Sequence, residues 1–220
     1  MKCCDQVVKP SQVRKIKPTR LVPSGVFSFR NFDSIPNESP LERDFLYLMA
    51  FDPDVTEIIP QPVRLSYTAQ SGRQYPYTPD FLVYYRSRNP LLVEVKPKEL
   101  IRTDWQTMKP RFKAALHYAK AQSWAFRIFD ERKIRTPKLS CIKSLQAFRQ
   151  MRLSSSEIGE ALSVVRKSGR SKLGRLLEQR STLPRELLRA ALLHQLAHME
   201  LKCDMNGPIS DETEIWGSYE

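Results

Sequence analysis

Residues 78–100 read TPDFLVYYRSRNPLLVEVKPKEL, two apolar runs joined by a short polar turn. Runs rich in Val, Tyr and Phe, broken by Asn-Pro, specify a buried two-stranded antiparallel ribbon. Its sheet is otherwise built from Phe, Leu, Val and Tyr, yet Asp80, Glu94 and Lys96 stand at the ends of the strands. Pairing across the five residues Arg86–Pro90 sets Tyr85 opposite Leu91, Val83 opposite Val93 and Phe81 opposite Val95. The intervening pairs are then Tyr84–Leu92, Leu82–Glu94 and Asp80–Lys96. Alternation sends every even-numbered residue of the ribbon to one face, so Asp80, Glu94 and Lys96 converge at its open end.

Two carboxylates within about 4–6 Å of each other repel, and each raises the pKa of the other unless a cation intervenes. A divalent ion is the usual remedy, and hard oxygen ligands select magnesium or manganese over zinc. Lys96 on the same face adds a charge able to hold a water or a phosphate oxygen. The alternative is that the same three residues form a solvated ion-pair cluster of little energetic weight. Glu42 lies on the preceding helix, where ESPLERDFLYLMAF places Leu41, Phe45, Leu48 and Met49 on one stripe. Ser39 suits the N-cap and Pro40 the first helical position. Glu42 therefore has two readings, a further metal carboxylate or the partner of Ser39 in a capping box.

The remaining pattern is a mixed α/β core. VTEII, VRLSYTA and YPYTPDFLVYY read as strands, the last two joined through QSGRQ, and LLVEVK ends at Pro97. A helix spans about 104–122 with Phe112, Ala115, Leu116 and Ala119 as its apolar stripe, and Pro110 either kinks it or starts its second half. WAFRIFD is a further strand. Beyond residue 154 the texture turns helical, with candidates at 156–167, 172–179 and 185–198, followed by two short strand-like pieces around MNGP. Three helices and a hairpin form a winged-helix-like layout. The expected organisation is a basic arm at 1–26, an α/β domain at 27–150 and a smaller helical domain at 151–220.

Net charge is +12, unevenly spread. Residues 1–30 carry +6, 31–100 carry −3, 101–150 carry +9, 151–200 carry +4 and 201–220 carry −4. An excess of nine positive charges within fifty residues suits a polyanion such as nucleic acid. Arg102, Lys109, Arg111, Lys113 and Lys120 are candidate backbone contacts, with Arg111 and Lys113 flanking the core position Phe112. Arg185 and Arg189, one turn apart, are candidates in the helical domain, beside a Leu-rich face suited to core packing or a protein partner. His194 and His198 read as packing residues, and the four cysteines show no zinc spacing. No apolar run reaches the roughly 18–20 residues of a membrane span, and no signal peptide opens the chain. A soluble intracellular protein is expected.

SPLERDFL, YTPDFLV and LLVEVKPKEL together resemble the three motifs of the TnsA family, endonuclease subunits of heteromeric cut-and-paste transposases. The compactness of the chain is similar to versions carried by CRISPR-guided transposons. The resemblance covers about residues 25–130 and, more loosely, 154–216. It implies a restriction-endonuclease-like fold with a winged-helix-like C-terminal domain. Glu42, Asp80 and Glu94 match that family's metal-binding carboxylates and Lys96 its catalytic lysine, with Mg²⁺ as cofactor and Mn²⁺ as substitute. The implied reaction is cleavage of the 5′ strands at transposon ends in double-stranded DNA, alongside a TnsB-like transposase and a TnsC-like AAA+ ATPase. A non-catalytic DNA-binding assembly factor and a stand-alone restriction or repair nuclease of the same fold are the alternatives.

Overall fold

The computed structural model describes residues 10–13, 25–29 and 33–217. The chain divides into two compact units, one ending at Ile134 and the other starting at Arg135. Most of the expected arm at 1–26 lies outside the described residues. Its last residues, Gly25 and Val26, belong to a strand, β1 (Gly25–Phe29), paired antiparallel with β2 (Asp33–Asn37).

In the first unit, α1 (Pro40–Ala50) begins where Ser39, in extended conformation, accepts a hydrogen bond from Glu42 N at 3.1 Å. Pro40 follows at the first helical position, where its missing N–H costs nothing. Next come β3 (Val55–Pro60), β4 (Leu65–Thr68), β5 (Gln74–Tyr77), β6 (Phe81–Tyr85) and β7 (Leu91–Val95). Then follow α2 (Lys98–Thr103), α3 (Trp105–Ala121), β8 (Ala125–Phe129) and α4 (Glu131–Ile134). The main sheet has the order β3-β6-β7-β8, antiparallel except for the parallel pair β7–β8. It is the mixed α/β core that the sequence predicts.

Alternation divides this sheet between two helices. Leu82 and Leu92 face α3 and pack with Met108, Phe112, Ala115 and Ala119. Phe81 faces α1, where its ring stacks 5.6 Å from Phe45, which also meets Phe129 edge-on at 5.0 Å. Phe45 and Phe81 are fully buried, so truncating either to Ala would cost about 3–5 kcal/mol.

The structure departs from the expected ribbon register by two residues. Phe81 lies opposite Val93 and Val83 opposite Leu91, leaving Tyr84 and Tyr85 paired only with β3. The cause is at the turn, where Asp54 Oδ1 accepts from Ser87 N at 2.9 Å and Asp54 O from Arg86 N at 2.8 Å. These bonds draw the turn towards β3 and lengthen it. A shift of two preserves the faces, because side chains repeat every second residue.

YPYTPDFLVYY is two strands rather than one. β5 pairs with β4 in a separate ribbon, and β6 joins the main sheet after Pro79, which has no N–H to give a ladder. Gly72, at φ 79°, closes the β4–β5 turn. Leu116 is 51% exposed rather than core, its expected place being taken by Met108 one turn before Phe112. α3 runs through Pro110 unbroken. The carbonyl of Gln106, deprived of its helical donor by that proline, accepts from Gln70 Nε2 at 3.4 Å.

The second unit contains α5 (Pro137–Arg149), α6 (Ser155–Ser168), β9 (Ser171–Lys172), α7 (Leu173–Leu177) and α8 (Arg185–Ala197). A hairpin of β10 (Leu201–Cys203) and β11 (Glu214–Gly217) completes it, in an antiparallel sheet ordered β10-β11-β9. The division falls before α5 rather than at residue 150. α5 buries Leu139, Ile142 and Leu145, and Arg149 O lies 3.1 Å from Nε2 of His198, just beyond α8. Leu188, Leu192, Leu193 and Leu196 of α8 are buried, and the His194 and His198 rings pack 4.4 Å apart.

Candidate active site

The end of the β6–β7 ribbon opens into a cavity of about 420 Å³ whose lining includes Glu38, Arg64, Tyr77, Asp80, Glu94, Lys96 and Arg111. Asp80 sits one residue before β6, and its N–H donates to Val93 O at 3.0 Å. Its Oδ2 accepts from Val95 N at 2.7 Å, which fixes the carboxylate against β7. Glu94 is 2% exposed, on the face of β7 that looks towards α3. Its Oε2 accepts from the Tyr77 hydroxyl at 2.7 Å. Its Oε1 lies 3.6 Å from Lys96 Nζ and 4.0 Å from Arg111 Nη2.

Glu42 is buried next to this group, but both its oxygens serve the start of α1. Oε1 accepts from Ser39 Oγ at 2.9 Å and Oε2 from Glu38 N at 2.7 Å. The capping reading thus describes its present contacts, displaced by one residue because the amide it holds is that of Glu38. Among the described residues, no group of three His, Cys, Asp or Glu side chains is gathered closely enough to hold an ion as they stand.

The electrostatics of the cavity follow from burial and like charge. Burial pushes the Glu94 carboxyl up to about 8, with Asp80 adding to the rise and Lys96 opposing it. Glu42 is pushed up to about 7, by burial first and by Asp80 second. Asp80 is raised as well, chiefly by burial, against the pull of Lys96 and the Val95 amide. Burial disfavours the ammonium of Lys96, but Asp80, Glu94 and Glu42 outweigh it and raise its pKa. Arg111 is neatly placed among these groups, with its Nε buried and without a hydrogen-bond partner. Carboxylates held near neutrality beside two cations can accept further positive charge or a proton, as acid–base and metal-dependent sites require.

Residues 52–131 match the family model described as TnsA-like endonuclease N terminal. The first unit carries a TnsA-like endonuclease domain. The matched stretch of this TnsA-like unit includes Asp80, Glu94, Lys96 and Arg111, while Glu42 precedes it. No curated protein matches the chain.

The other expected DNA contacts are placed differently from one another. Arg102 is exposed and forks onto Glu99 at 2.7 and 3.2 Å. Lys109 and Lys113 are exposed beside Pro110, and Lys120 is exposed near the end of α3. Arg189 and Arg185 both reach Asp211, the latter at 3.5 Å, and so already have a counter-charge. Tyr77, Glu38 and Arg64 escape sequence reasoning, since they sit outside the β6–β7 ribbon and only the fold brings them to the cavity.

Proposed function

We propose that the TnsA-like unit hydrolyses the 5′ strands of double-stranded DNA at transposon ends, as the nuclease subunit of a cut-and-paste transposase. What carries this reading is the juxtaposition of Asp80, Glu94 and Lys96 in one cavity within the family-matched segment. The donor set suits magnesium, with manganese as substitute. Both groups are hard oxygen donors, and Asp80 spends only Oδ2 on the backbone. Asp80 and Glu94 are the residues that would hold it, with Glu42 joining them only on releasing Ser39 and the Glu38 amide. Bound there, the ion would acidify a water and neutralise charge on the phosphate.

The side chains of the chain itself perform the rest. Tyr77 orients Glu94 through its hydroxyl, so the second carboxylate is fixed before substrate arrives. Lys96 offers an ammonium beside both carboxylates, placed to hold the attacking water or a phosphate oxygen. Arg111 brings a second cation to the same cavity. Lys109, Lys113, Lys120 and Arg102 would contact the DNA backbone along α2 and α3, which positions a duplex without reading it. Site choice then comes from partners, a TnsB-like transposase and a TnsC-like AAA+ ATPase. We read the second unit, with its order α6-β9-α7-α8-β10-β11, as a winged-helix-like dock for them.

The test is cleavage of a transposon-end duplex with Mg²⁺, with and without the transposase partner. Asp80→Ala should abolish 5′-strand cleavage in the complete mixture. Processing at the native rate by that variant would remove catalysis from this cavity, and full activity of the lone chain would favour a self-sufficient nuclease.

A further inference from the structure

We propose that the groove between the β4–β5 ribbon and the first half of α3 is a nucleobase pocket, which takes a base of the DNA strand next to the scissile phosphate. The identity of the strand rests on the cleavage reading, but the binding itself does not require cleavage.

Two adjoining cavities form this groove. One, of about 320 Å³, is lined by Tyr67, Gln70, Tyr75, Gln106 and Pro110 among others. The second, of about 380 Å³, shares Gln70, Gln106 and Pro110 and adds Lys109 and Lys113. Tyr75 is 42% exposed, its ring tilted 6.1 Å from that of Tyr67. It offers an aromatic face to something outside the fold. Gln70 and Gln106 lie across from each other because Pro110 frees the Gln106 carbonyl for the Gln70 amide. Among the described residues, the side-chain amide of Gln106 and the ammonium groups of Lys109 and Lys113 have no partner.

An aromatic face, two side-chain amides and two uncompensated cations are the chemistry of a nucleotide. The ring stacks a base, an amide presents donor and acceptor together to a base edge, and the ammonium groups meet the flanking phosphates. Glutamine fits the adenine edge best, so a preference for adenine follows. A peptide of acidic character would satisfy the lysines but leave the amides and the ring without purpose.

The groove is also in line with the cleavage cavity. Tyr75 and Tyr77 point to the same side of β5, about 7 Å apart, and the Tyr77 hydroxyl holds Glu94. The groove and the cleavage cavity therefore meet along one short strand, the first lined by Tyr75 and the second by Tyr77. The TnsA-like unit would then read one base itself, and partners would not be the whole source of its site choice.

Photocrosslinking tests this with the full chain held in EDTA, so that no strand is cut. The probe is a library of duplexes randomised in sequence and substituted with 5-iodouracil at successive positions. Crosslinks should map to the peptides carrying Tyr67 and Tyr75. Tyr75→Ala should weaken duplex binding about ten-fold, and the double variant Gln70→Ala, Gln106→Ala should flatten base preference at one position. Crosslinks confined to other peptides overturn the proposal, as does native affinity and preference in both variants. Failure of the native chain to bind at about 50 mM salt overturns it too. Loss of partner assembly in Tyr75→Ala with unchanged duplex binding would assign the groove to a protein instead. None of these readouts depends on the Asp80→Ala cleavage test, so either reading can fail without the other.

Discussion

In the first unit Glu94 is buried and Asp80 half-buried beside Lys96 and Arg111. In the second, Arg170, Lys172, Arg185 and Arg189 meet Glu214, Glu212 and Asp211 in ion pairs open to solvent. Pairs of the latter kind contribute about 0–1 kcal/mol each. Withdrawing like charges together costs several kcal/mol per ion before compensation, and the cost appears as carboxyl groups pushed up towards neutrality. Local charge density does not separate the two arrangements, because both lie in segments rich in both signs. Burial does. A fold keeps an uncomfortable cluster where that cluster is used and lets its surface charges neutralise one another.

The largest test of that contrast is catalytic. Glu94→Gln keeps the shape and the Tyr77 contact but removes the carboxylate a cation would draw on, and should lower end cleavage in the complete mixture about 10²–10³-fold. Lys96→Ala should act similarly. Glu212→Gln, which breaks a surface pair of the second unit, should leave the rate alone. Equal losses in all three would show that the buried cluster is no more functional than the exposed one.

Part of this was legible in the amino-acid sequence for physical reasons. The apolar period of α1 and its Ser39-Pro40 start are local, and local signals survive folding unchanged. The convergence of Asp80 and Glu94 survived a wrong register because the error was even, and only an odd slip would have sent them to opposite faces. What failed depended on distant contacts. The hold of Asp54 on Ser87 set the turn, and the packing of Met108 displaced Leu116. Glu42 shows the limit most clearly. Its capping and site readings use the same three neighbours in sequence, and only coordinates show both oxygens on the helix start with Asp80 close enough to raise it.

A second test uses pH. Burial pushes the native Glu94 carboxyl up to about 8 from its ordinary value of 4.5. Between those values the folded chain holds a proton that the unfolded chain has lost. Stability from this group is therefore present at about pH 5 and declines as pH rises through 8. In metal-free buffer the native Tm should fall over that window more steeply than the Tm of Glu94→Gln, which cannot titrate there. Parallel slopes would mean that the carboxyl is not held up by burial, and the contrast between the units would lose its main support.

The smallest effect belongs to the exposed cluster. Among the described residues Asp211 alone pairs with Arg185 and Arg189, and its backbone carbonyl also accepts from Gly174 N at 2.8 Å. Asp211→Asn keeps the loop and removes the counter-charge. Stability should change by no more than about 1 kcal/mol, as for other solvated pairs. Two arginines released to phosphate would steepen the dependence of duplex binding on salt by up to about two units of log–log slope. Titrations of labelled duplex between about 50 and 200 mM salt measure that slope directly. An unchanged slope means that α8 does not face DNA even when its charges are freed, which leaves the second unit to protein partners. A steeper slope means that Asp211 keeps a basic helix from the duplex, so that neutralisation on this surface is itself a restraint on binding.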